Sequence, residues 1–346
     1  MPFARDLHAR PIHEIGAEAS TAESSCPVCA GREVRPRFRV GGVTSPVVVC
    51  TDCGVGRYDP PLAPDEVFEG YPSEYYGQLG MKFSPGVEAL VRLAATRQSA
   101  FLSRGLSPRA RVLDVGCGRG VIFGPLADRG LELHGVEIRI EAVEGADPRA
   151  EVSIAPRLAE AGYAAEFFDE VVIWHALEHV IDPRGTLAEV HRILRSGGRL
   201  VVAVPNFASA QARWSGAAWF HLDAPRHLYH FPLEALERLL EDLGFEVESR
   251  HHFSLRQNPF GWVQSLLNRV RSLPRNGLYT LLYERPKGVP PAFDRGTRVG
   301  LLLLGLLAAP IALVASVVAA VLRSGATVHV VARKPAHSSR QAPPER

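Results

Sequence analysis

Four of the five cysteines fall as two pairs, Cys26-Pro-Val-Cys29 and Cys50-Thr-Asp-Cys53. Two Cys-x-x-Cys pairs at this separation offer four thiolates to one tetrahedral ion, the chemistry of a structural Zn2+ site with no open position for substrate. Disulfides or a redox dithiol are the competing reading. Residues 1–25 carry no secretory pattern, which favours reducing conditions and metal. The fifth cysteine, Cys117, sits inside Gly116-Cys117-Gly118-Arg119-Gly120, directly after Val112-Leu113-Asp114-Val115, whose Val112, Leu113 and Val115 read as a short buried strand. Alternating glycines permit positive φ and leave no Cβ where a ligand approaches the main chain, and the N–H groups of a following helix would face that ligand. This is a cradle for a nucleotide-type cofactor.

Glu137 ends the next predicted strand, seventeen residues beyond Gly120. A carboxylate there is placed to accept hydrogen bonds from both ribose hydroxyls. The loop is not the Gly-x-Gly-x-x-Gly of a dinucleotide site, and no Lys-Ser/Thr follows, so a P-loop is excluded. Two histidine clusters remain. The first, His175-Ala-Leu-Glu178-His179, has the letters of a His-x-x-Glu-His zinc protease, but it terminates a strand where that motif needs a helix. Glu178 and His179 read equally well as the start of the next helix. The second is His221-Leu-Asp223-Ala-Pro-Arg226-His227-Leu-Tyr-His230, preceded by Trp214 and Trp219. A structural salt-bridge corner is the competing reading of that segment.

Strand–helix alternation from Arg111 onward is the organisation that would bring these groups together. Predicted strands are Val112–Val115, Leu133–Glu137, Glu151–Ala155, Phe168–Trp174, Gly198–Val204, Phe245–Arg250 and Ala326–Ala332. Helices are expected over Pro85–Leu102, Thr186–Leu194 and Leu233–Leu243, with a short one near Ile122–Leu126 curtailed by Pro125. Small strands, Arg37–Val40 and Val47–Val49, would form a ribbon around the cysteines. At 346 residues and a net charge of +2 there is room for one large domain with attachments, and nothing in the charge points to nucleic acid.

Taken together, Val112–Gly120, Val136-Glu137, Phe168–Val180 and Arg192-Ile-Leu-Arg-Ser-Gly-Gly198 resemble the class I S-adenosylmethionine-dependent methyltransferases. The resemblance covers roughly residues 111–245 and returns for the last strand. It implies an α/β, doubly wound, seven-stranded Rossmann-like sheet. It also implies S-adenosyl-L-methionine held by Asp114, Gly116, Cys117, Gly118, Gly120, Glu137, Ile138 and His175, with adenine near Ala155–Leu158. The first histidine cluster is similar to the Glu-x-x-Glu-His loop of ubiquinone-type O-methyltransferases, which can hold a divalent ion, but His175 replaces the first acid. The second is similar to a His-Leu-Asp-x-Pro-Arg-His segment of zinc-knuckle-bearing bacterial methyltransferases. In that segment His227 is the candidate general base or acceptor contact and Asp223 its orienter; in the first cluster His175 is a cofactor-side or acceptor-side contact and a further catalytic candidate. Arg226 would grip an anion on the acceptor and His221 would contact it, while Tyr75 and Tyr76 would cover a bound cofactor on the substrate side or pack against the following helix.

Val299–Leu322 carries no charge and would extend about 36 Å as one helix, enough to cross a bilayer. Its flanking strands should lie in one sheet, so a single crossing would separate them. Pro310 splits the run, and Arg295, Arg298 and Arg323 flank it, which predicts a re-entrant or in-plane hairpin on the inner face of the cell membrane of a cytoplasmic protein. Packing within the chain, or in a homodimer, is the competing reading. The expected organisation is a flexible leader (1–25), a zinc ribbon (26–60), a helical lid or linker (61–110), the methyltransferase domain with its apolar insertion (111–335), and a disordered tail (336–346). The expected activity is methyl transfer to a small-molecule, glycan or lipid-linked acceptor. A non-catalytic, zinc-stabilised membrane scaffold is the alternative.

Overall fold

The computed structural model describes residues 10–16, 18–63, 66–67, 82–283 and 291–336. The ribbon comes first: β1 (Ile12–Glu14), β2 (Ser20–Thr21), β3 (Glu33–Val40), β4 (Val47–Cys50) and β5 (Gly56–Tyr58). Along β3 the residues alternate, Val34, Phe38 and Val40 turning inward while Glu33, Arg35, Arg37 and Arg39 face water, as a half-buried strand requires. β3 pairs antiparallel with β4, and β4 with β5. The segment expected as a flexible leader instead supplies β1 and β2. Ile12 stands opposite Val40, and Ser20 opposite Val34. They occupy the edge of β3, which would otherwise present unpaired backbone groups.

The main domain follows. Its elements are α1 (Pro85–Leu102), β6 (Arg111–Val115), α2 (Phe123–Ala127), β7 (Glu132–Glu137), β8 (Ala150–Ile154), β9 (Phe168–Trp174), α3 (Pro183–Ile193) and β10 (Leu194–Pro205). Then come α4 (Ala210–Ser215), β11 (Tyr229–His230), α5 (Leu233–Asp242), β12 (Glu246–His251), α6 (Asn258–Asn268), α7 (Gly277–Leu282), α8 (Arg295–Val321) and β13 (Thr327–Arg333). Seven strands form one sheet in the order β12-β13-β10-β9-β6-β7-β8. β13 runs antiparallel to β10 and β12, and the remaining neighbours are parallel. Val171, Val172 and Ile173 of β9 are fully buried on both sides, the signature of a central strand covered by two layers. Strand order reverses between β6 and β9, so a crevice opens outside their carboxyl ends.

Local signals explain most helix boundaries. α3 starts where Asp182 accepts the Gly185 N–H at 2.8 Å and Pro183 fills the first turn. α2 is only five residues long and contains Pro125. α8 differs from expectation. It is one continuous helix of 27 residues with Pro310 inside it, not a hairpin. Leu301, Gly305, Ala308, Ala312, Ser316 and Ala319 are buried along one stripe that spans both sides of Pro310. Packing of that stripe against α6 and α7 offsets the roughly 3 kcal/mol an interior proline costs.

The ribbon is fused to the main domain at two places. β11 pairs antiparallel with β5, Tyr229 opposite Arg57 and His230 opposite Gly56. Arg184 of α3 donates to the carbonyls of Pro27 and Val28 at 3.0 and 2.7 Å. Cys26, Val28, Cys50 and Val55 accordingly share one apolar core with Phe231, Leu233 and Leu236 and with β9.

Candidate active site

The glycine loop turns sharply off β6. Gly116 has φ +70°, and a Cβ on it would lie 2.7 Å from the Ala176 Cβ. Only glycine allows the two loops after β6 and β9 to meet there. The loop amides were expected to face a ligand, but several bind β7 instead. The Val136 carbonyl accepts from the N–H groups of Gly116 and Cys117 at 2.8 and 3.2 Å. The Gly118 N–H donates to Glu137 Oε2 at 2.9 Å, and the Ile138 N–H to Glu137 Oε1 at 2.7 Å. Burial pushes the Glu137 carboxyl up while these two amides pull it back.

A cleft of about 1810 Å³ runs along the carboxyl ends of the strands. Gly116, Gly118, Glu137, Ile138, Ala155, Leu158 and His175 line it. Asp114, Cys117 and Gly120, expected beside the cofactor, are not among its lining residues. The Asp114 carboxyl is pushed up to about 8 by burial and by the neighbouring Glu137 charge. Burial, with the Asp114 and Glu137 charges, also raises the Cys117 thiol. A Cβ on Gly135 would come 2.8 Å from the Cys117 sulfur, so this cysteine fills space behind the cradle.

The two histidine clusters converge on the same cleft. His175 ends β9 in the left-handed region, φ +54°, a conformation that costs a non-glycine residue about 1–3 kcal/mol. Its Nδ1 is 3.2 Å from Glu178 Oε1, and its Nε2 is buried without a partner. Burial, then the Arg256 charge, lowers its pKa to about 3. Glu178 does not open the next helix, which Asp182 caps. Its side chain is 1% exposed and faces the cleft, one oxygen has no partner, and burial pushes its pKa up to about 7.

His227 lies across from Glu178. A carbonyl can only accept, so the 2.8 Å contact between His227 Nδ1 and the His221 carbonyl fixes the proton on Nδ1. Nε2 then stands 3.7 Å from Asp223 Oδ2 and 4.0 Å from Glu178 Oε1. Burial, then the His179 charge, holds its pKa well below the usual histidine value. The result is a neutral imidazole with an unprotonated Nε2. His179 is arranged alike, its Nδ1 donating to the Arg226 carbonyl at 2.9 Å. Glu178, His179 and His227 each offer a ligand atom, all within 4.8 Å of one another.

His221 lines the cleft with its Nε2 buried and unpartnered. Arg226, expected to grip an anion on the acceptor, is instead buried against Asp223 and does not line the cleft. Its Nε donates to Asp223 Oδ2 at 3.1 Å, and Nη2 bonds the other oxygen. Tyr75 and Tyr76 lie outside the described residues. Sequence reasoning passed over Glu178 and His179 as site residues, and Lys82, Tyr279 and His329 of the cleft wall as well. The His-x-x-Glu-His letters and the likeness to a Glu-x-x-Glu-His loop had marked the first two.

Where the ribbon meets the main domain, Cys26 Sγ and Cys53 Sγ are 3.5 Å apart, as are Cys29 Sγ and Cys50 Sγ. All four sulfurs lie within 4.8 Å of one another. Tetrahedral zinc at 2.3 Å from each sulfur requires about 3.8 Å between sulfurs, so the set fits the ion.

A family profile for a methyltransferase domain matches residues 88–250. A ubiquinone biosynthesis O-methyltransferase of Ruegeria pomeroyi is 30% identical over 190 residues, covering 47% of this chain and 70% of that protein. The chain belongs to the class I S-adenosylmethionine-dependent methyltransferases. A second ubiquinone biosynthesis O-methyltransferase, from Rhizobium rhizogenes, is 34% identical over 36% of this chain and 54% of its own length. A demethylmenaquinone methyltransferase of Renibacterium salmoninarum is 36% identical over 29% of this chain and 43% of its own. The cleft fits the cofactor of that family. A Cβ on Gly118 would meet nothing within 4 Å, Glu137 ends β7, and Ile138, Ala155 and Leu158 give an apolar wall beside it.

Proposed function

We propose that this methyltransferase methylates a hydroxyl group of an acceptor seated between Glu178, His221 and His227. The observation that carries the reading is the state of His227. It is buried, its Nδ1–H is committed to the His221 carbonyl, and its Nε2 is left facing two carboxylates in the cleft, while burial favours the neutral ring. S-adenosylmethionine supplies a methyl group already activated by its sulfonium. The chain's own task is therefore alignment and removal of one proton. His227 Nε2 takes the hydroxyl proton, and the imidazolium so formed is stabilised by Asp223 and Glu178. Glu137 holds the ribose, and Gly118 leaves room for the methionyl part. Leu90, Leu93, Phe253 and Leu255 line the cleft and are exposed, which favours an apolar acceptor. The names of the relatives, enzymes of ubiquinone and menaquinone biosynthesis, point the same way. The four-cysteine site we assign to structural Zn2+.

A second reading rests on the three ligand atoms of Glu178, His179 and His227. Both imidazoles have Nδ1 tied to a backbone carbonyl, the usual support for a metal-bound Nε2. A divalent ion there would acidify the acceptor hydroxyl in place of the base. Methyl-labelled cofactor, a catechol acceptor and the His227→Gln variant test the proposal. Label on oxygen, lost in the variant while S-adenosylhomocysteine affinity is kept, supports it. An unchanged rate in the variant overturns it. Loss of the wild-type rate on removing metal, with ribbon zinc retained, favours the ion.

A further inference from the structure

Among the described residues one helix, α8, is long and apolar enough to cross a bilayer, yet the sheet forbids a crossing. β12 precedes it and β13 follows it, and the two pair directly, Arg250 opposite Val330 and His251 opposite His329. Both ends of α8 therefore lie on the same side of any membrane. Its C-terminal end is tied to the loop after β10, where the Ala210 N–H donates to Ser324 Oγ at 2.8 Å and Asn206 Nδ2 to the Gly325 carbonyl at 3.3 Å.

The buried stripe on α8 is narrow and, beyond Leu301, made of small residues, so α6 and α7 approach closely. A Cβ on Gly305 would stand 3.0 Å from Leu278. From Val299 to Val321 the remaining positions are apolar or glycine, and most of them face out. Leu306, Ile311 and Val321 are 73%, 73% and 77% exposed, and Leu302, Leu303, Leu307, Val314, Val317 and Val318 are exposed with them. At 3.6 residues per turn these positions cover about 200° of the circumference. A partner helix or a second copy needs a stripe of roughly 100°. A fluid apolar phase is the occupant that covers the whole arc.

Charge completes the match. Between Arg295 and Arg323 the only charge is Arg298, no acid occurs, and arginines mark both ends. Beside α6, Trp214 is half-exposed, packs on Trp262 with ring centroids 5.4 Å apart, and carries the Arg269 guanidinium 4.8 Å above its ring. Tryptophan next to arginine is the composition of the headgroup region. α6 and α7 supply the link to the active site: Leu267 and Leu278 pack on α8, while Phe260, Tyr279 and Leu282 line the cleft.

We propose that α8 lies in the plane of an anionic lipid surface, its outer arc in the acyl boundary and Arg295, Arg298 and Arg323 among the headgroups. This anchor stands independently of the acceptor proposed above. The test is flotation of the full chain with vesicles of phosphatidylcholine plus phosphatidylglycerol and with phosphatidylcholine alone. The wild type should float with the mixed vesicles. Replacing exposed Leu306, Ile311 and Val314 by Asn should lower the partition coefficient by more than about a hundredfold. Changing the three arginines to Gln should lower binding to mixed vesicles by about fivefold for each residue and leave binding to phosphatidylcholine alone unchanged. Unchanged S-adenosylhomocysteine affinity in both variants separates this outcome from any failure of the active-site reading. The proposal is overturned if the wild type fails to float, if the Asn variant floats as the wild type does, or if the chain is a dimer that the Asn variant dissociates without any vesicle binding.

Discussion

Loss of the ribbon metal should free the acceptor loop and leave the cofactor cradle intact. The four thiolates would hold zinc with about 10–16 kcal/mol in a small module, as much as the whole stability of a typical domain. Replacing Cys50, which is fully buried, by Ser should therefore unfold the ribbon locally. The ribbon's β5 is the strand that β11 pairs with, and β11 directly follows His227. Breaking that pairing forfeits two ladder contacts at about 1 kcal/mol each. Phe231 would also lose its ribbon neighbours in the shared core, at about 1.5–3 kcal/mol for a large side chain. The sum, about 3.5–5 kcal/mol, predicts that amide protection across residues 221–231 falls by roughly several hundredfold to several thousandfold. Hydrogen exchange read by mass spectrometry on Cys50→Ser, or on metal-stripped protein, checks it. Protection across residues 111–137 should hold. Unchanged protection at 221–231 would refute the coupling, and so would simultaneous loss of β6 and β7.

Two further outcomes follow from the cradle. Gly116→Ala places a Cβ 2.7 Å from Ala176 at φ +70°; it should lower stability by about 1–3 kcal/mol and weaken S-adenosylhomocysteine binding, as thermal shift with and without ligand will read. Asp114 is raised to about 8 by burial and by Glu137, against about 3.9 in an unfolded chain. The native state therefore binds the extra proton between those values, and the contribution of Asp114 to stability is fully present below about pH 4 and is lost as pH rises to about 8. Asp114→Asn should flatten that decline, by several kcal/mol across the range. Parallel melting-temperature profiles of wild type and variant from pH 5 to pH 8 would contradict the assignment.

The parts of this protein that were legible in its sequence are those fixed by local chemistry. The glycine loop and the four cysteines announced themselves by spacing, and β9 by the apolar stretch Val171–Trp174, because each obeys a constraint acting within a few residues. The parts that were not legible depend on distant chain. The pairing of β5 with β11 joins a short ribbon strand to a short strand of the main domain far along the chain, and no periodicity of two or three residues signals it. Glu178 reads locally as a helix opener. Only the approach of His227 from a separate loop makes it a site residue. Arg226 was assigned to the acceptor because a cation in a cleft loop suggests an anion, yet Asp223, three residues away, takes its guanidinium. Pro310 suggested a break that the packed stripe of small residues on α8 overrides.

The central claim is that Glu137 and the loop ending β6 hold S-adenosylmethionine. Calorimetric titration with S-adenosylhomocysteine, on wild type and on Glu137→Ala, tests it most directly. Losing the two hydrogen bonds a carboxylate makes to ribose hydroxyls, about 1.5–3 kcal/mol each, should weaken binding by more than about a hundredfold. No binding to the wild type, or equal binding by both proteins, would contradict it.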